Sequence, residues 1–147
     1  MTEADFIALV LRNPANQAIL ARLPSLGLAD TWLVSGSLFQ TVWNLQTGRE
    51  AGHGIRDHDL FYFDPDTSYE AEDTVIRRVQ QACADIPATI EVRNQARVHL
   101  WYGEKFGAPY PPLTRSSDGI DRFLMPCAQV GIRNRSSGYE VYAPKGL

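Results

Sequence analysis

The chain has 147 residues and a formal net charge of −3, with 14 basic and 17 acidic side chains mixed along it. That length supports one domain with a buried sheet, and the mixed charge excludes a broad duplex-binding surface while leaving room for a short basic patch. Cys83 and Cys127 have no CxxC spacing and sit in apolar periodic segments, which predicts two packed, reduced thiols in a cytoplasmic protein. No charged leader precedes an apolar run and no stretch could span a bilayer, so no membrane association is expected.

From Glu3 to Leu23 the apolar positions fall in two groups separated by Asn13-Pro14. Proline suits a first helical turn and asparagine the cap before it, so two short helices are predicted. Thr31 to Ser35 reads as a strand ended by Gly36, and Leu38, Val42 and Leu45 then repeat at helical spacing from Ser37. Gln46 to Arg56, with Gly48, Gly52 and Gly54, is a loop feeding a strand that holds Asp57, Asp59 and the run Leu60 to Phe63 and closes at Pro65. Glu70 to Ile86 is an amphipathic helix stopped by Pro87, and Thr89 to Val92 is a short strand. Arg93 to Tyr102 fits helix or strand, with helix favoured by Ala96, Leu100 and Trp101. Gly103 to Gly119, with Pro109, Pro111 and Pro112, is predicted as a long surface loop. Cys127 to Ile132 and Tyr139 to Ala143 alternate as a hairpin joined through Ser136-Ser137-Gly138.

Side chains on a strand alternate with period two, so Asp57 and Asp59 share one face while Arg56, His58 and Asp64 take the other. Two like charges about 5 Å apart repel by roughly 3 kcal/mol at an effective dielectric of about 20, and a bound Mg²⁺ or Mn²⁺ would compensate them. The Gly36-Ser37 turn places free backbone N–H groups where a strand gives way to a helix, a place that favours phosphate oxygens; a simple serine cap is the structural alternative. Glu91 alternates with Ile90 and Val92, so it points to a solvated or functional face. With the two aspartates it supplies the third carboxylate that a two-metal phosphoryl-transfer site requires; Glu140 is a weaker substitute. Arg93 and Arg97, at i and i+4 if this segment is helical, could neutralise a leaving pyrophosphate or simply be a solvated face. His99 reads as a structural hydrogen-bonding residue, and Trp101 and Tyr102 as core. Lys105, Tyr110 and Arg115 are candidates for acceptor recognition.

The blocks SGSLFQTVWN, GIRDHDLFYFD and EVRNQARVHLWYGEKFG resemble, in order, a small bacterial nucleotidyltransferase-like family of the polymerase-beta-like nucleotidyltransferase superfamily, over roughly Trp32 to Tyr142. The resemblance implies an α+β fold with a mixed sheet backed by helices, in a single domain over 1–147. It implies phosphate binding at Gly36 and Ser37, with metal held by Asp57, Asp59 and Glu91 as the catalytic acids. Of the two arginines read from the residues themselves, Arg97 is the expected nucleotide contact. The activity implied is Mg²⁺- or Mn²⁺-dependent transfer of NMP from an NTP, with release of pyrophosphate. The resemblance leaves the acceptor undefined among a small molecule, an RNA end and a protein. The interval from Gly36 to Asp57 is longer than is usual in the superfamily, so the Gly48–Gly54 loop must fold back near the site. The chain stops at Lys145-Gly146-Leu147, where relatives continue, so a further C-terminal segment is expected. Two alternatives stand beside this reading. A non-catalytic nucleotide-binding module would bind without turnover, and an HD-type phosphohydrolase, suggested by His53, His58-Asp59 and His99, would be almost wholly helical.

Overall fold

A computed structural model describes residues 1–100, 112–135 and 137–147. Five strands, β1 (Trp32–Val34), β2 (Asp57–Tyr62), β3 (Thr89–Asn94), β4 (Gly131–Arg135) and β5 (Gly138–Tyr142), form a mixed sheet in the order β3-β2-β1-β4-β5. β2 and β3 are parallel, and every other pair is antiparallel. A parallel pair needs a crossover, which α4 (Tyr69–Ala82) supplies.

The other helices are α1 (Glu3–Val10), α2 (Pro14–Arg22), α3 (Gly36–Gln46) and the short α5 (Ser116–Ile120). Three starts carry side-chain caps. Thr2 accepts from Asp5 N in a capping box, Asn13 accepts from Ala15 N ahead of Pro14, and Ser68 accepts from Ala71 N. The main core lies on one face of the sheet, where Leu33, Leu60, Val92 and Ile132 meet Phe6, Val10, Ile19, Leu20, Leu38 and Val79. The opposite face carries a much smaller cluster of Trp32, Val34 and Ile120 with Phe61, Phe123 and Tyr142. No helix among the described residues is long and apolar enough to cross a membrane.

The α+β architecture agrees with the sequence reading, and the differences have local causes. α4 ends at Ala82 rather than Ile86 because Arg22 reaches its last turn. Arg22 Nη1 donates to the Ala82 carbonyl at 3.0 Å, and its guanidinium grips Asp85 at 2.5 and 2.6 Å. β3 continues through Arg93 to Asn94, whose backbone N–H donates to Glu72 Oε2 at 2.9 Å, and a 3₁₀ turn over Gln95–Arg97 leads into α-helical residues only at Val98. Ser116 to Gly119, predicted as the end of the loop, form α5 together with Ile120. Its buried residues are Ser116, Ser117, Gly119 and Ile120, and a single isoleucine gives no apolar period. A Cβ on Gly119 would stand 2.1 Å from Gln95 Oε1 and 3.2 Å from Phe61 Cε2, so here the missing side chain makes the contact. Pro126 to Ala128 form a 3₁₀ turn, so the hairpin begins only at Gly131. Cys83 is buried as expected, but Cys127 on that turn is exposed. Trp101, Tyr102, Lys105, Tyr110 and Ser136 lie outside the described residues.

Candidate active site

The alternation of β2 places Asp57 and Asp59 together on the face opposite the main core, while His58, Leu60 and Tyr62 are buried. Glu91 on β3 lies in register with Asp59, and Val34, the last residue of β1, pairs with Asp59 from the other side. Asp59 and Glu91 are close enough to share a hydrogen bond. Burial, then the Glu91 charge, then the Asp57 charge push the Asp59 carboxyl up to about 6, and Arg93 partly relieves it. The sequence-predicted acids are thus brought to one place. Among the described residues no three His, Cys, Asp or Glu side chains converge as a ready ligand cluster, so the arrangement is a coupled Asp59–Glu91 pair with Asp57 as the next charge. Its oxygen donors and uncompensated negative charge fit a hard divalent cation.

Beyond Val34 the chain turns through Ser35 at φ 60° and opens α3. That φ is a costly one for a residue other than glycine, of order 1–3 kcal/mol, and the surroundings hold it. Ser35 N donates to the Val130 carbonyl at 2.9 Å, and the Ser35 carbonyl accepts from Leu38 N at 2.9 Å. Unlike α1, α2 and α4, α3 has no side-chain cap. Its first N–H groups, Gly36 and Ser37 among them, therefore have no partner within the helix. Neither φ nor packing requires glycine at 36. A Cβ there would meet only Gln40 Nε2, at 3.7 Å, so the glycine keeps open space beside the N–H groups of the helix start. Ser37 Oγ is buried without a hydrogen-bond partner among the described residues, and the Ser37 carbonyl is fixed by Asn16 Nδ2 at 3.0 Å and Thr41 Oγ1 at 2.6 Å. Because β1 and β2 are antiparallel, the chain leaving Val34 for Gly36 advances toward Asp57, which sets the start of α3 at that end of the acid pair.

The glycine-containing loop folds back along α3 to deliver Asp57, tied by Asn44 Nδ2 to the Ala51 and His53 carbonyls at 3.0 and 2.8 Å. The two arginines part company. Arg93 lies on the acid face of β3, two residues from Glu91, with Nη1 on the Val92 carbonyl. Arg97 is not brought to the acids: it pairs with Glu72 on α4 at 2.8 Å and donates to the Thr67 carbonyl at 2.8 Å. Glu140 pairs with Arg133 and Arg135 on the far hairpin. His58-Asp59 lies on a strand of a five-stranded sheet and His53 on an exposed loop, which removes the helical HD-type alternative. His99 Nδ1 is buried with no hydrogen-bond partner among the described residues. Phe123, which stacks on Phe61 beside this site, gave no sequence signal because the segment before it had been read as irregular loop.

A solved NMR structure, described as revealing a CCA-adding enzyme head domain, superposes with a TM-score of 0.79 at 28% sequence identity, over 99% of this chain and 73% of its own. Among curated proteins, none matches this chain. The profile of a family described as nucleotidyltransferase matches residues 21–147. That match runs through α3, β2 and β3 without interruption, and the chain therefore belongs to the nucleotidyltransferase family.

Proposed function

We propose that this nucleotidyltransferase moves a nucleoside monophosphate from an NTP to an acceptor hydroxyl in a reaction that depends on a divalent cation held by Asp57, Asp59 and Glu91. The observation that carries the reading is the Asp59–Glu91 pair beside an uncapped helix start. Asp57 adds its charge on the same face, Arg93 is the nearby cation, and Asp59 holds its proton up to about pH 6. Such a grouping calls for a cation, and phosphate oxygens would complete its coordination. When bound, Mg²⁺ or Mn²⁺ would supply charge neutralisation at the phosphates and activation of the attacking hydroxyl.

The chain's own groups do the rest. The Gly36 and Ser37 N–H groups and the Ser37 hydroxyl receive phosphate oxygens at the positive end of α3. Arg93, rather than the Glu72-bound Arg97, offers its guanidinium to the phosphates. Val34 closes one side of Asp59 with an apolar wall. The acceptor hydroxyl attacks the α-phosphorus as the bond to the pyrophosphate oxygen breaks, so one P–O bond forms for one lost. The test is transfer of label from [α-³²P]NTP to a panel of RNA ends, proteins and small hydroxyl compounds. The expected result is cation-dependent labelling of one class with equimolar pyrophosphate, abolished by Asp59→Asn. Cation-dependent NTP binding with no pyrophosphate from any acceptor would instead establish the non-catalytic module.

A further inference from the structure

We propose that the stacked pair Phe61–Phe123 is the platform for the base of the bound NTP; the inference rests on the phosphate path just described. Along the acid face β2 presents, in order, Asp57, Asp59 and Phe61. The phosphate end is fixed at Asp57 by the start of α3, so a triphosphate laid across the acids points its nucleoside toward Phe61. One strand period of two residues is about 7 Å, a gap that a ribose bridges.

At that end the sheet is not bare. Phe61 is flanked in register by Trp32 and Arg93, and Phe123 stacks over it with ring centroids 5.6 Å apart and planes 17° from parallel. Both rings are only half-buried. Phe123 is held from its backbone, with N–H on the Ile120 carbonyl at 3.3 Å and its carbonyl receiving Gln129 Nε2 at 2.9 Å. Gly119 of α5 lies beside Phe61, where a Cβ would stand 3.2 Å from Phe61 Cε2. A rigid, half-exposed aromatic pair next to a cation suits a planar, electron-rich ring with phosphates behind it. Arg133, another cation on this face, lies 4.0 Å from the Trp32 ring and is engaged by Asp30 and Glu140, so it does not compete for that role. Stacking is indifferent to base identity, because every base has a π-face. The platform should accept purines and pyrimidines alike.

The experiment uses 2-aminopurine riboside triphosphate, whose fluorescence is quenched when the base stacks, and inorganic tripolyphosphate, which has no base, both with Mg²⁺. The native chain should quench the probe. Phe123→Leu should lose the quench and bind the probe at least ~5-fold more weakly while holding tripolyphosphate as the native chain does, and Phe123→Tyr should behave as native. Undiminished quenching in Phe123→Leu, or equal weakening of probe and tripolyphosphate, overturns the platform. If Asp59→Asn binds both ligands as well as the native chain, the phosphate path itself is wrong and the platform falls with it.

Discussion

The two faces of the sheet are made by alternate residues of the same strands, yet they are built on opposite terms. On one face Leu33, Leu60, Val92 and Ile132 disappear beneath four helices; on the other Asp57, Asp59 and Glu91 share the sheet surface, and among the described residues α5 and Phe123 give cover toward the far end of β2. The first arrangement is stabilised by every contact in it. The second contains like charges, and burial together with their repulsion pushes the Asp59 carboxyl up to about 6. The contrast teaches that the acid face is arranged for a ligand carrying the opposite charge and not for the stability of the free chain.

The sharpest way to break that comparison is to mutate neighbours on β2. Asp59→Asn should lower NMP transfer by at least ~10²-fold, as loss of a group that stabilises transition-state charge does, with no loss of unfolding free energy. Leu60→Ala should cost about 2–5 kcal/mol in urea unfolding and leave the transfer rate of the folded protein unchanged. If both variants lose stability equally, the faces do not differ as described.

The arginines extend the comparison to β3 and the turn after it. Arg97→Ala leaves Glu72 without its guanidinium in a pair whose side chains are 16% and 12% exposed. About 2–3 kcal/mol of stability should go, somewhat less than for a fully buried pair, with NTP affinity intact. Arg93→Ala should stay within about 0.5 kcal/mol of native stability and weaken NTP binding. Reversed outcomes would return the nucleotide contact to Arg97.

Serines at two helix starts give a smaller contrast. Ser68→Ala removes a cap and should cost about 1 kcal/mol. Ser37→Ala removes a hydroxyl that has no hydrogen-bond partner among the described residues, so stability should hold while calorimetry shows weaker binding of the NTP–Mg²⁺ complex.

The last contrast is the pH dependence. The folded Asp59 pKa stands above its unfolded value of about 3.9, so the folded state holds the extra proton, and stability falls as pH rises from about 4 through 6. Buried His58, whose pKa is lowered by desolvation against the opposing Asp57 charge, acts the other way: its contribution is lost as pH falls below the usual histidine range. The difference between native and Asp59→Asn isolates the carboxyl. Asp59→Asn should gain nothing over native near pH 4 and about 1–2 kcal/mol above pH 6, after allowance for solvent screening of a half-exposed group. Mg²⁺ should shrink that gain. A gain independent of pH would contradict the account.

Much of this was legible because alternation is a local property. Asp57 and Asp59 reveal their shared face through the apolar run that follows, and Asn13-Pro14 announces α2 before any tertiary contact exists. What was not legible depends on partners far along the chain. The fate of Arg97 is decided by Glu72 on α4, the end of α4 by Arg22, and the seat of α5 by the space left at Gly119 over Gln95 and Phe61. None of these leaves a period in the sequence. Spacing alone could not separate Arg93 from Arg97, because helix and strand were both open there and they send the two side chains to different elements.

The central claim is that the acid face binds NTP through a divalent cation, and titration calorimetry of each NTP with Mg²⁺ and with Mn²⁺, on the native chain and on Asp59→Ala, tests it most directly. The account predicts cation-dependent binding by the native chain that is lost in the folded variant. Binding that ignores the cation, or that survives in Asp59→Ala, would contradict it.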